Sequence, residues 1–450
     1  MNSELTELEM VREIEASLMA RVPEHKLRPR LEPTRRAVEL LGDPQKMYRV
    51  VHVTGTNGKT STTRIIERIL REFDLHTGRF TSPHLIELNE RIAIDGQPIE
   101  IEQMYSVFKD IEPLLEIVDQ ELMGEGELRL TFFEALAVLG FACFAEAGVH
   151  VLVLEVGMGG EWDSTNVADG DVAVFTPIDL DHMDRLGSTI AEIAQTKSGI
   201  IKPGAAVVSS VQKPEALEVL KSKSAELADS FDAYGQDFEV TKFAEEEHGI
   251  RFSVKSLAGE YDDLFMPLHG DYQAQNAAVA IAAVEQFFGS AQQRIDEVIL
   301  RAALADATSP GRLQIISRKP TVLLDAAHNP HGARSLAEAL VKTFKSPAAI
   351  GVISILGDKD ARKILEALEP VLVDIVLTQS SSTRATDVSI LKDLADEIFG
   401  ADRVHEAKNV VEGLAKAKQI LPTDGMIVVS GSITLIGDVL KLKQQESAND

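Results

Sequence analysis

Between Val53 and Ser61 the chain reads Val53-Thr54-Gly55-Thr56-Asn57-Gly58-Lys59-Thr60-Ser61, a glycine-rich turn with one lysine and flanking hydroxyls. Successive backbone N–H groups of such a turn wrap an anion, and a helix start behind it adds partial positive charge. The chemistry that fits is nucleotide phosphate binding: Thr56, Asn57 and Gly58 in the turn, Lys59 reaching the β- and γ-phosphates, and Thr60 beside a magnesium ion. The general P-loop spacing needs a glycine at 53, where this chain has valine, so the loop is the tighter T-G-T-N-G-K-T form. The bland alternative is a glycine turn followed by a surface lysine. It fits poorly, because an apolar run, Tyr48–Val53, precedes the loop and a helical segment from Thr60 to about Phe73 follows it.

Other residues draw meaning from position. Glu155 ends the apolar run Val149–Val156; a carboxylate there needs a partner or a cation, and strand carboxyl ends face the ligand crevice of parallel sheets. Ser82, before Pro83, reads as a turn residue. His182 reads as a loop histidine; its neighbours Asp181 and Asp184 either draw a cation or are plain surface charges. Lys197 follows the capping-box pattern Thr189-x-x-Glu192 and reads as a solvated helical lysine. Asp325-x-x-His328 with His331 is either a metal pair or a strand-end turn completed by Asn329-Pro330. Gly157-Met158-Gly159-Gly160 approaches the dinucleotide fingerprint, but its third glycine would fall at Trp162, which removes the oxidoreductase reading.

The loop T-G-T-N-G-K-T resembles that of the Mur ligase superfamily. Phe80-Thr81-Ser82-Pro83-His84-Leu85 and Asn89-Glu90-Arg91-Ile92 narrow the resemblance to the folylpolyglutamate synthase/dihydrofolate synthase family. The match continues in order through Glu155-Val-Gly-Met-Gly-Gly160, Asp163-Ser-Thr-Asn166, Leu180-Asp-His182, Lys197-Ser-Gly-Ile-Ile-Lys-Pro203, Pro310-Gly-Arg312 and Asp325-Ala-Ala-His-Asn-Pro330. The resemblance implies an ATP-dependent amide ligase that adds L-glutamate to dihydropteroate, to (tetrahydro)folyl-polyglutamate, or to both. The acceptor carboxylate takes the γ-phosphoryl group, and glutamate's amine then attacks the acyl phosphate, releasing ADP and phosphate. It implies two Mg2+ ions held by Thr60, Ser82, Glu155 and His182, with a carbamylated Lys197 supporting the second. Lys59, Lys197 and His182 become the catalytic residues. Asn276 and Arg312 face the nucleotide, Arg312 at phosphate, with Asp325 at the ribose and His328 at the adenine. Thr131, Trp162, Asp163 and Ser164 form the substrate wall, Asp163 meeting the pterin amino and N–H donors, with the basic segment Lys26–Arg36 for the acceptor's tail. Two departures stand out: Glu161 where the family has arginine, and Ala326 where it has glycine. A peptidoglycan UDP-muramyl ligase shares the loop and the chemistry; a nucleotide switch that ligates nothing is the rival from another class.

These residues need a scaffold. Strands and helices alternate along the chain, which predicts an α/β fold: a P-loop ATPase domain with a mostly parallel sheet over residues 1–309, then a smaller C-terminal Rossmann-like α/β domain over 310–450. Ser309-Pro310-Gly311 is the linker candidate. Short alternating runs over 235–268 suggest antiparallel strands of a small edge sheet, and an alanine-rich helix follows from Tyr272 to Phe288.

At 450 residues with 44% hydrophobic and 26% charged residues, two globular domains are expected. A formal charge of −26 disfavours nucleic acid and anionic membrane as partners, leaving the small-molecule substrates and ATP. The lone cysteine, Cys143, permits no intrachain disulfide. The polar N-terminus lacks a signal-peptide pattern, and the apolar stretch Ala135–Ala145 is too short to span a bilayer. A cytoplasmic monomer is the expectation.

Overall fold

A computed structural model of the chain describes residues 5–23, 29–289, 291–345 and 348–449. The chain forms two compact units: Met1–Ala244 with Arg251–Met266 and Tyr272–Ala307, and Glu245–Ile250 with Pro267–Asp271 and Thr308–Asp450. The chain thus contributes two short segments to the second unit before passing into it for good at 308.

In the first unit, β1 (Arg49–Thr54), β2 (Thr77–Phe80), β3 (Ile92–Ile94), β4 (Gln97–Pro98), β5 (Val151–Glu155), β6 (Val172–Phe175), β7 (Ala206–Ser209) and β8 (Ser230–Ala233) form one sheet. Its order is β4-β3-β2-β5-β1-β6-β7-β8. Every pairing from β2 through β8 is parallel, and only β3 and β4 run antiparallel to their neighbours. The central strands are continuous apolar runs because helices bury both faces of such a sheet; all of β5 and β6 is buried. Helix Phe132–Ala147 is apolar on nearly all sides and packs with Phe80, Ile92 and Leu152 in the main core. No helix among the described residues is long and apolar enough to cross a membrane.

The strands expected over 235–268 are β9 (Glu239–Glu246), β10 (Gly249–Lys255) and β11 (Glu260–Met266), forming their own sheet rather than an edge of the large one. The outer strand β9 is mostly solvent-facing, so it brings no apolar face for the main core to cover.

The second unit holds β12 (Gln314–Arg318), β13 (Thr321–Leu324), β14 (Ala349–Ile353), β15 (Leu372–Leu377), β16 (Val404–Glu406) and β17 (Met426–Ser430), ordered β12-β13-β17-β14-β15-β16. Only β12 is antiparallel. Insertion of β17 between β13 and β14 brings the ends of those three strands side by side.

The basic segment Lys26–Arg36, an arginine-rich turn on its sequence, lies outside the described residues at 26–28. Its later half is not a turn: helix Glu32–Leu40 begins there, with Pro33 in the first turn where its missing N–H costs nothing.

Candidate active site

The phosphate loop leaves β1 and enters helix Lys59–Glu72. Gly55 has φ 150°, and a Cβ there would collide with the Thr176 hydroxyl; Gly58 has φ 88°, and a Cβ there would stand 2.9 Å from Asn276 Oδ1. Glycine at these positions lets β6 and helix Asp271–Gly289 close on the loop. Asn276 is thereby brought beside the turn. Thr56 is fixed by reciprocal bonds with Asp179, its hydroxyl donating to the carbonyl and accepting from the N–H, both at 3.0 Å.

Parallel pairing gathers the other candidates at one edge of the sheet. Phe80 pairs with Leu154, Val53 with Glu155, and Thr54 with Phe175. Ser82, Glu155, the phosphate loop and the segment leading to His182 therefore leave adjacent strands in the same direction, each strand about 4.8 Å from the next. Glu155 is 1% exposed, and its Oε1 accepts from the Thr60 hydroxyl at 2.8 Å. Ser82 follows β2 and precedes Pro83 through a cis peptide bond. His182 caps the short helix Met183–Leu186 in the left-handed region, with φ 48° and a partly exposed ring. The Asp181 carboxylate accepts its backbone N–H at 2.9 Å, and Asp184 is instead paired with Arg185 at the surface.

Lys197 departs most from its plain reading. It is 3% exposed rather than solvated, and its Nζ donates to Gly55 O at 2.9 Å. Lys59 Nζ donates to the same carbonyl at 3.1 Å and to Thr56 O at 3.3 Å. Burial, reinforced by the Lys59 charge, pulls the Lys197 amine down to about 7. Two lysines thus share one carbonyl, and one of them can be a neutral nucleophile near neutral pH. The capping box Thr189–Glu192 forms as expected.

The substrate-wall residues divide. Thr131 caps helix Phe132–Ala147, its hydroxyl accepting from Glu134 N at 3.2 Å. Phe133, two residues on, closes against Gly157, where a Cβ would meet its ring at 2.5 Å; this apposes the helix start to the loop after β5. Trp162 lies partly buried against the cluster containing Leu186 and Ile193. Asp163 is buried, with Oδ1 accepting from Thr165 N and Thr165 Oγ1 at 3.0 and 2.6 Å, and Oδ2 from Met158 N at 2.8 Å. Burial raises its pKa, and these bonds oppose the rise. Ser164 is buried beside it. Among the described residues of the basic segment, Arg30 makes a forked pair with Glu134 at 2.8 and 2.9 Å, and Arg36 one with Glu121 at 2.8 Å.

In the second unit, Asp325 draws its own loop together, accepting from Leu313 N at 3.0 Å and Ala327 N at 2.9 Å. Ala326 N donates to Gly311 O at 2.8 Å, so Arg312 and Asp325 lie on adjoining turns. Burial raises the Asp325 pKa, and the Arg312 charge opposes it. His328 Nδ1 bonds Ala326 O at 2.8 Å; a carbonyl only accepts, so that nitrogen carries the proton.

Sequence reasoning missed Arg64. It lies one helical turn past Thr60, is only partly exposed, and burial pulls its guanidinium down to about 9, with Glu155 and Glu90 among its charged neighbours. The i, i+4 spacing from Thr60 was the available signal.

Residues 53–284 match the Mur ligase middle domain and residues 311–433 the Mur ligase glutamate ligase domain. A dihydrofolate synthase/folylpolyglutamate synthase of Mycobacterium tuberculosis is 42% identical, over 92% of this chain and 87% of the relative. The solved structure of Mycobacterium tuberculosis folylpolyglutamate synthase complexed with ADP superposes with a TM-score of 0.92 at 40% identity, covering 97% of this chain and 99% of that one. Escherichia coli FolC in complex with DHPP and ADP gives a TM-score of 0.84 at 27% identity, covering 96% and 98%. The two matched domains and the 42% identity over 92% of its length make this chain a member of the dihydrofolate synthase/folylpolyglutamate synthase family of Mur ligases, ATP-dependent enzymes that ligate glutamate.

Proposed function

We propose that the enzyme joins L-glutamate to both dihydropteroate and reduced folyl-polyglutamates through an acyl phosphate. The observation that carries the reading is the convergence of Lys59 Nζ and Lys197 Nζ on Gly55 O, beside Thr60 and Glu155.

Lys59 turns from the loop carbonyls to the γ-phosphate and neutralises charge as the acceptor carboxylate attacks phosphorus and ADP departs. The amine of glutamate then attacks the acyl carbon; the amide C–N bond forms, the C–O bond to phosphate breaks, and the amine proton is lost. Thr56, Asn57, Gly58 and Asn276 hold the nucleotide's phosphate end, and Arg312, Asp325 and His328 bind phosphate, ribose and adenine. Trp162, Asp163 and Ser164 with Thr131 receive the acceptor's ring, Asp163 through remaining capacity on Oδ2.

A hard hydroxyl and a hard carboxylate already paired at 2.8 Å, Thr60 and Glu155, suit magnesium. Ser82, His182 and a Lys197 carbamate would complete two such sites. When bound, the ions offset phosphoryl charge. The carbamate forms as the neutral Lys197 amine adds to carbon dioxide and loses one proton. We place the enzyme in the cytoplasm as a monomer.

The test is glutamate-dependent ADP release with dihydropteroate, tetrahydrofolate and a UDP-muramyl peptide as acceptors. Turnover with the first two alone is expected. Failure with dihydropteroate and success with tetrahydrofolate would leave a polyglutamate synthase only; turnover with the muramyl peptide would overturn the folate reading.

A further inference from the structure

His52 lies in the middle of β1, fully buried, two residues before Thr54. Alternation along a strand puts 52 and 54 on the same face, and both grip the loop that follows β5. The Thr54 hydroxyl donates to Gly159 O at 2.8 Å, and His52 Nε2 lies 2.9 Å from Thr165 Oγ1. Thr165 in turn bonds Asp163 through both its hydroxyl and its N–H.

Proton positions in this chain are fixed by what each group can do. Both Asp163 oxygens accept from backbone N–H groups, bonds that favour the ionised carboxylate, which only accepts. The Thr165 hydroxyl must then spend its only proton on Asp163 Oδ1 and accept from His52. His52 therefore carries its proton on Nε2. Its other nitrogen, Nδ1, is buried without a partner among the described residues. Burial and the nearby Lys202 charge hold the ring neutral, pulling it down to about 3. A buried imidazole with one nitrogen unsatisfied is a costly way to fill space. Its single hydrogen bond is what it contributes.

We propose that His52 is a positioning residue for the folate acceptor: through Thr165 it orders the Asp163 carboxylate and ties the acceptor loop, residues 157–165, to the strand that carries the phosphate loop. This rests on the reading that Trp162 and Asp163 meet the acceptor. His52 touches neither substrate. It sets the distance and orientation between the two loops whose ligands must react, and an error there is felt in acceptor binding before nucleotide binding.

Steady-state kinetics on the full chain test it, with acceptor and ATP varied separately. His52→Leu and Thr165→Val remove the donor and the relay at nearly constant volume. Each is expected to raise the acceptor KM about tenfold or more, with the ATP KM within about twofold. His52→Gln, whose amide N–H can replace Nε2, restores most of the loss, which a space-filling role would not allow. Nitrogen-15 shifts of the wild-type His52 ring show the Nε2–H tautomer. If His52→Leu fails to fold, Thr165→Val carries the same expectation. Equal KM changes for acceptor and ATP, no change in either variant, no rescue by glutamine, or an Nδ1–H ring overturns the proposal. Trp162→Ala separates the two levels. If it leaves the acceptor KM unchanged, the acceptor-loop reading falls and takes this inference with it. If Trp162→Ala raises that KM but Thr165→Val does not, the positioning inference alone falls.

Discussion

At the carboxyl edge of the first unit's sheet stand Lys59, Glu155 and Lys197; at that of the second stand Asp325 and the buried hydroxyls of Ser354, Ser380 and Ser430. Buried ions are expensive and are kept where charge moves. In the first unit the cost is visible as an amine pulled down to about 7 and two lysine amines sharing one carbonyl. In the second unit Asp325 is held by backbone N–H groups, Ser354 Oγ accepts from Ser380 N at 3.3 Å and Ser430 Oγ donates to Ala327 O at 3.3 Å, while the Ser380 hydroxyl has no partner among the described residues. The same architecture thus carries buried ionisable side chains in contact with one another at one edge, and a backbone-held carboxylate with neutral hydroxyls at the other.

The comparison breaks most sharply at Lys59. Lys59→Ala removes the loop's cation and is expected to lower kcat by about a thousandfold or more, on the order of 4 kcal/mol, with an unchanged circular dichroism spectrum. Near-normal turnover would move the chemistry off this edge.

Lys197→Ala comes next. It is expected to be nearly inactive while still binding ATP by calorimetry, with acetate partly restoring activity by taking the place of the carbamate. The wild type equilibrated with carbon-13 dioxide is expected to show a carbamate carbon signal that the variant lacks. The amine's position also sets a sign in stability. Between about 7, where the folded amine loses its proton, and 10.5, where the unfolded one does, the unfolded chain binds more protons. Stability of the metal-free, carbon dioxide-free protein therefore rises with pH across that window and is flat below it. Urea titrations of wild type and Lys197→Met compare the slopes; an identical slope in both would place the amine in water.

How much of this was legible in the sequence differs between the two edges. The phosphate loop announces itself because its function is local: glycine, lysine and hydroxyl are consecutive, and strand and helix flank them. Lys197 reads as a solvated lysine because the carbonyl its amine bonds, that of Gly55, lies 142 residues away. His52 sits 113 residues from Thr165 and looks like an interruption in an apolar strand. Strands β2, β7 and β8 have only four residues each, two of them opening on a threonine or serine, so their periodicity is too short to read. Helix Ile101–Gly124 holds Pro113, which breaks a helical pattern on paper.

A smaller effect is expected in the second unit. His328→Ala should raise the ATP KM about tenfold with kcat within about threefold, the pattern of lost binding rather than lost chemistry. A fall in kcat comparable to that of Lys59→Ala would erase the distinction between the edges. Smallest of all, Ser354→Ala leaves Ser380 N–H without its acceptor and should cost about 1–3 kcal/mol of stability with kcat unchanged. Thermal unfolding followed by calorimetry measures the first, and ADP release the second.

The central claim is that the acceptor carboxylate is phosphorylated on the way to the amide. Acceptor carrying oxygen-18 in its reacting carboxylate tests this directly, with the released phosphate analysed by mass spectrometry. Attack on the γ-phosphate passes one carboxylate oxygen to phosphorus, and departure of phosphate on amide formation carries it away. The account predicts one labelled oxygen in each phosphate released. Phosphate free of label, with the label retained in the acceptor or lost to water, would contradict it.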